Sequence, residues 1–145
     1  MKIKYPLEHD TMVSWITENP EKFIESVGIK NAYEKISYKR VYEVYDKNKH
    51  VGDFDIMLSL DKDENFTYDD YDEDENPEFK FVKVFVVVNV KLESATDQLK
   101  ELKKIINQQM NNTSQFIKKY YFVIVSKNDQ FKSFFTDENI LFYKF

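Results

Sequence analysis

Two short stretches hold the side chains best suited to chemistry. In residues 51–60, VGDFDIMLSL, Asp53 and Asp55 share one face of a strand by the period-two rule. In residues 81–102, FVKVFVVVNVKLESATDQLKEL, an apolar strand turns polar at its end and runs into an amphipathic helix. Val84, Val86, Val88 and Val90 line one face of that strand. The other face begins with Phe85 and Val87 and ends with Asn89, Lys91 and Glu93. A core strand with a polar tip marks a candidate site, and if the two strands are neighbours the carboxylates of Asp53 and Asp55 meet the ammonium of Lys91.

Other chemistries find little support. The chain has no cysteine, which excludes disulfides and thiolate metal sites and permits a cytosolic location. His9 and His50 are its only histidines, so a zinc site would lean on carboxylates, and no motif supports a Ser-His-Asp arrangement. No apolar run approaches the roughly 20 residues that span a bilayer, and MKIKYPLEHD lacks the apolar core of a signal peptide. A cytoplasmic protein without a membrane partner is expected.

The elements that must position these residues can be read from pattern. At 145 residues a single domain, 1–145, is expected. Thirteen Phe and ten Tyr against two Gly and three Pro favour regular elements over long linkers. Asp10 is placed to cap a short helix through Trp15 and Thr17, and Asn19-Pro20 starts a second that Gly28 stops. Residues 37–60 read as a β-hairpin around the polar turn 46–50, with Gly52 giving freedom before the second arm. Ser94 and Asp97 resemble a capping box. Leu99, Leu102, Ile105, Ile106 and Met110 then repeat at helical spacing, leaving Lys100, Lys103 and Lys104 on the exposed side, where a phosphate backbone would be drawn to them. Residues 120–126, YYFVIVS, complete a βαβ unit and should lie parallel to the strand at 81; a helical turn at 130–136 and an edge strand at 140–145 close the chain. The fold class is α/β (α+β), a central mixed sheet flanked by helices.

Charge is unevenly spread. Residues 61–78 hold ten acids against Lys62 alone, a local charge of −9 that leaves +4 on the rest of a chain with net charge −5. So many like charges without an apolar period read as a loop joining two strands. Asp69, Asp70, Asp72, Glu73, Asp74 and Glu75 within it form a candidate docking surface for a basic protein partner.

The order helix, hairpin, strand, helix, strand, with an acid late in the hairpin and a lysine at the end of the next strand, resembles the PD-(D/E)xK, or restriction endonuclease-like, nuclease superfamily over residues 11–126. GDFDIML is similar to the motif that carries the superfamily's metal-binding Asp, and VVVNVKLES with DQLKEL to the Glu-x-Lys strand and its trailing helix. The resemblance implies an αβββαβ core and a metal-dependent nuclease acting on DNA phosphodiesters. It implies Asp55 as ligand to Mg²⁺ or Mn²⁺, Lys91 at the attacking water, and Gln98 near the glutamine of some branches; Lys100, Lys103 and Lys104, from their place on the exposed side of the helix, are the candidate DNA contacts. Magnesium takes hard oxygen ligands and offsets charge growing on a phosphate, and a lysine beside it adds to that effect.

The sequence departs from the pattern at Asn89, which stands where a Glu or Asp is expected and brings an amide oxygen without a charge. Asp53, on the face of Asp55, or Glu93, on the face of Lys91, is placed to supply the missing carboxylate. Glu43 and Glu25 are the alternatives for an extra acid near the first helix. Two functions follow: a nuclease with an altered site, or an inactive nuclease-fold binding or inhibitor protein whose acidic loop docks on a basic nucleic-acid-handling partner. Oligomeric state stays open.

Overall fold

The computed structural model describes residues 7–29, 35–61, 81–92, 96–112 and 119–145. Helix α1 (Leu7–Glu18) and helix α2 (Pro20–Ser26) precede a hairpin of β1 (Lys35–Asp46) and β2 (Lys49–Asp61). Strand β3 (Phe81–Val88), helix α3 (Asp97–Asn112), strand β4 (Lys119–Ser126), a 3-10 turn (Gln130–Phe134) and strand β5 (Ile140–Lys144) follow. The strands form one mixed sheet in the order β1-β2-β3-β4-β5. β1, β2 and β3 are antiparallel neighbours, and β4 and β5 run parallel to β3. The fold is α+β. Among the described residues no helix is long and apolar enough to cross a membrane.

Each face of the sheet carries its own apolar cluster, as expected of a sheet covered by helices on both sides. On one face, Val84, Val86, Val88 and Val90 pack with Ile16 of α1 and Phe23 and Ile24 of α2. On the other, Phe85 packs with Leu99, Leu102 and Ile106 of α3. The rings of Phe54, Phe85 and Phe122 meet there at centroid separations of 5.4–5.7 Å, distances at which offset and tilted aromatic pairs attract beyond their burial. α3 owes its seating to the helical repeat of its apolar residues, and Asn112 Nδ2 fastens its far end by donating to the carbonyl of Tyr45 at 2.7 Å.

The hairpin is less regular than its sequence suggests. Ile56, Leu58 and Leu60 face α1 and α2, whereas Phe54 faces α3, so the alternation of β2 changes face at Asp55. β1 changes face at the same level. Arg40 reaches α1, donating to Thr17 Oγ1 at 3.0 Å, while Tyr42 lies 5.3 Å from the ring of Phe85 on the opposite side. Between them Val41 has φ +57°, a left-handed conformation that crowds a β-branched side chain, and it is exposed.

Several boundaries differ from the sequence expectation. Asp10 lies inside α1 and does not cap it, because the helix already includes Leu7. β3 ends at Val88, and residues 89–92 form a turn in place of the expected strand extension. α3 is capped by Thr96, whose Oγ1 accepts the Leu99 N–H at 3.3 Å, the bond from cap to third helical residue that satisfies a free donor. Ser94, the expected cap, lies outside the described residues, as does 62–78 of the acidic segment. Gly52 is required by close approach and not by freedom of turn: a Cβ there would stand 2.3 Å from Cδ1 and 2.6 Å from Cγ1 of Ile105 in α3.

Two substitutions test this packing. Gly52→Ala is expected to cost about 1–3 kcal/mol through overpacking, and adding Ile105→Ala should cost less than the sum of the two single changes. Val41→Gly, which releases the left-handed strain at a smaller entropic cost, should stabilise the protein by about 1 kcal/mol. Both are read from denaturant midpoints.

Candidate functional site

β2 and β3 part company at one end, and the site lies in the gap. Their ladder stops at the pair Ile56–Val86. Beyond it the Val88 N–H would have no strand partner, and Asp55, at the residue where β2 changes face, supplies one: Oδ2 accepts that N–H at 2.7 Å. Oδ1 of the same carboxylate lies 3.2 Å from Nε2 of His9 on α1. Asp55 is therefore held between the sheet and the first helix.

The turn after β3 supplies the opposite wall. Asn89 N–H donates to Val125 O at 2.9 Å and carries the β3–β4 pairing one residue past the strand, while Leu92 N–H returns to Asn89 O at 3.3 Å. Val90 is buried on the α1 and α2 face and Leu92 on the α3 face. Lys91 between them is exposed and makes no ion pair among the described residues. Asn89 Nδ2 is 3.4 Å from Oε1 of Gln98 in the first turn of α3, a long contact that leaves the amide oxygen of Asn89 without a partner among the described residues.

With Val87, Val88 and Val90, a single cleft of about 450 Å³ is lined by His9, Asp53, Asp55, Asn89, Lys91 and Gln98. Five of these six are residues that sequence reading selected. The period-two rule is not what unites them, since Asn89 and Lys91 sit in a turn and Asp55 sits where the strand changes face. Glu93 lies outside the described residues. Glu43 and Glu25 do not line the cleft: Glu43 accepts the hydroxyl of Tyr45, and Glu25 is exposed on α2. The acidic residues 69–75 considered for partner docking also lie outside the described residues. Lys100, Lys103 and Lys104 are exposed on α3, as expected, but none borders this cleft.

His9 is the site residue that sequence reading missed. It is one of only two histidines, yet it falls one position before the supposed cap Asp10 and so reads as a residue preceding the helix. With Leu7 already in the helix, His9 lies in its first described turn and faces Asp55.

The electrostatics set two carboxylates apart. Burial pushes the Asp55 carboxyl above its ordinary 3.8. The Val88 N–H and His9 pull it back down, and Asp53 adds a push upward. Asp53 is exposed and tied to His50, with Oδ1 2.7 Å from Nε2, a contact that raises the His50 pKa above its ordinary 6.5. Among the described residues no group of three or more His, Asp or Glu is arranged to hold a metal. What the cleft does offer is one held carboxylate and one free amide oxygen. That set matches a magnesium ion that keeps most of its waters and takes one carboxylate from the protein, and it does not match a cage of protein ligands.

The raised Asp55 pKa has a signed consequence. An acid whose folded pKa exceeds its unfolded value stabilises the fold below that window, and its contribution is lost as pH rises from 3.8 through the folded value. Asp55→Asn keeps an acceptor for Val88 and removes the buried charge. It should be at least as stable as the natural chain at neutral pH, with the difference shrinking on acidification. Asp55→Ala strands the Val88 N–H and should cost about 1–3 kcal/mol. Urea melts at about pH 4 and about pH 7 measure both, and an Asn variant less stable at neutral pH would show the charge itself to be stabilising.

No family model matches the sequence, no curated protein matches it, and no solved structure matches its fold, so the chemistry of the cleft has to be derived from its own residues.

Proposed function

We propose that the chain is a divergent nuclease of the PD-(D/E)xK type, hydrolysing DNA phosphodiesters with a divalent cation. One observation carries this reading: Asp55, Asn89, Lys91 and Gln98, the residues that correspond to the superfamily's motifs, line one cleft. The order of helix, three antiparallel strands, helix and parallel strand supports it.

In this reading Asp55 and the amide oxygen of Asn89 would hold Mg²⁺ or Mn²⁺. The cation would supply Lewis acidity toward the phosphate and lower the pKa of water. Lys91 places an unpaired ammonium where negative charge grows on the phosphoryl oxygens. His9 and the Val88 N–H fix the rotamer of Asp55, so that the ligand is in place before substrate arrives. The bond from the water oxygen to phosphorus forms as the bond to the ester oxygen breaks, and the proton of water passes to the leaving alkoxide.

A second reading is favoured by Asn89 and by the lack of a three-ligand group among the described residues: the same cleft binds nucleic acid without cutting it. The two part cleanly. If the nuclease reading holds, Mn²⁺-dependent cleavage of plasmid DNA is expected from the natural chain, falling by about 10²-fold or more in Lys91→Ala with an unchanged melting temperature. Calorimetric titration should then find Mn²⁺ binding already in the natural chain. A natural chain that neither cleaves nor binds Mn²⁺, with binding regained in Asn89→Glu, would remove the nuclease reading, because one restored carboxylate is enough to recover the ion; DNA retention by that natural chain, lost in Lys91→Ala, is what the non-cleaving reading expects.

A further inference from the structure

A second recess lies on α3, away from the cleft. Lys100, Lys103 and Lys104, with Asn107, Asn111 and Phe134 of the 3-10 turn, wall a groove of about 380 Å³. At about 100° per residue Lys100, Lys104, Asn107 and Asn111 project away from the apolar stripe and Gln98, while Lys103 borders the stripe; the groove shares no lining residue with the cleft. Asp97 and Glu101, the acids of α3, are not among its walls. None of the three lysines has an ion-pair partner among the described residues. Lys103 Nζ sits 4.6 Å from the ring centroid of Phe134, a cation–π contact that holds the ammonium over the recess while leaving its charge unneutralised.

We infer that this groove binds the backbone of single-stranded nucleic acid. Three unpaired ammonium groups within two helical turns concentrate positive charge on a protein whose net charge is −5. That concentration selects a polyanion. The lysines by themselves would also take the carboxylates of an acidic peptide. The side-chain amides of Asn107 and Asn111 both donate and accept, as base edges and sugar hydroxyls require. An aromatic ring beside a basic track is the usual means of holding unpaired strands. From Lys100 to Asn111 the helix advances about 16 Å, enough for a few nucleotides. The inference deepens the nuclease reading and rests on it for the choice of polyanion, giving the substrate a hold remote from the bond to be broken.

The test reads binding with cleavage silenced. Fluorescence anisotropy of a labelled oligothymidylate of about fifteen nucleotides is followed in EDTA between about 50 and 200 mM salt. The triple variant Lys100→Ala, Lys103→Ala, Lys104→Ala is expected to bind about tenfold or more weakly at the lower salt. Its dependence of log affinity on log salt should be flatter by about 2, three released phosphate contacts on a single strand. A charge-matched control, Lys22→Ala, Lys49→Ala, Lys144→Ala, should keep nearly the full slope. Unchanged affinity and slope in the α3 variant would overturn the inference. So would an equal loss in the control, or equally tight binding of polyglutamate, which would make the groove an acidic-peptide site. Loss of cleavage with the groove's binding intact would count against the cleft alone.

Discussion

The main-chain N–H of Val88 is the constraint around which the site is arranged. It lies past the last β2–β3 pair, buried between elements, and an amide left there without an acceptor costs about as much as a lost hydrogen bond. Asp55 Oδ2 meets that need at 2.7 Å. Because the acceptor is a side chain and not a strand carbonyl, the strands separate at this point, and a carboxylate comes to rest in the opening. The same group thus closes the fold's hydrogen-bond account and presents a partly buried negative charge to the cleft.

Four elements converge on that opening: α1 through His9, β2 through Asp53 and Asp55, the turn after β3 through Asn89 and Lys91, and α3 through Gln98. None could hold its residue without the apolar clusters behind it. On one face, Ile16, Phe23 and Ile24 press α1 and α2 against the valines of β3. On the other, Phe54, Phe85 and Phe122 form a rigid aromatic floor under α3. The turn at 89–92 inserts Val90 into the first cluster and Leu92 into the second, so Lys91 is flanked by two buried neighbours and projects from a pinned loop. A short polar tip is thereby positioned by bulk packing on both sides of the sheet.

Strong periodicity was legible and local irregularity was not. The valine alternation of β3, the apolar repeat of α3, and the parallel β4 follow directly from pattern, because each buries a continuous face. Asn89, Lys91 and Glu93 alternate as strand residues do, yet the chain turns at Asn89. What decides this is the burial of Val90 and Leu92 on opposite faces, a tertiary fact no local pattern records. Asp53 and Asp55 were picked out together by period two, and they do reach one cleft, but through a change of face at Asp55 coupled to left-handed Val41 across the hairpin. His9 stayed hidden because its neighbour Asp10 looks like a cap, and a residue just outside a supposed helix gives no reason to expect it beside a strand 46 positions later. Ser94, three residues before Asp97, has the spacing of a capping box, whereas the cap is Thr96, set by where α3 begins.

The left-handed residue in β1 has one more effect, on the border of the sheet. Among the described residues β1 has no strand on its outer side, and Tyr38, Val41 and Tyr45 leave apolar surface on it, a combination that invites another chain to add itself as a further strand. At Val41 the row of donors and acceptors is turned aside near mid-length. An incoming segment can register with one half of β1 or the other, about five or six residues in place of the full twelve. The twist that lets Arg40 and Tyr42 pack on opposite faces also blunts the border against fibre-like growth.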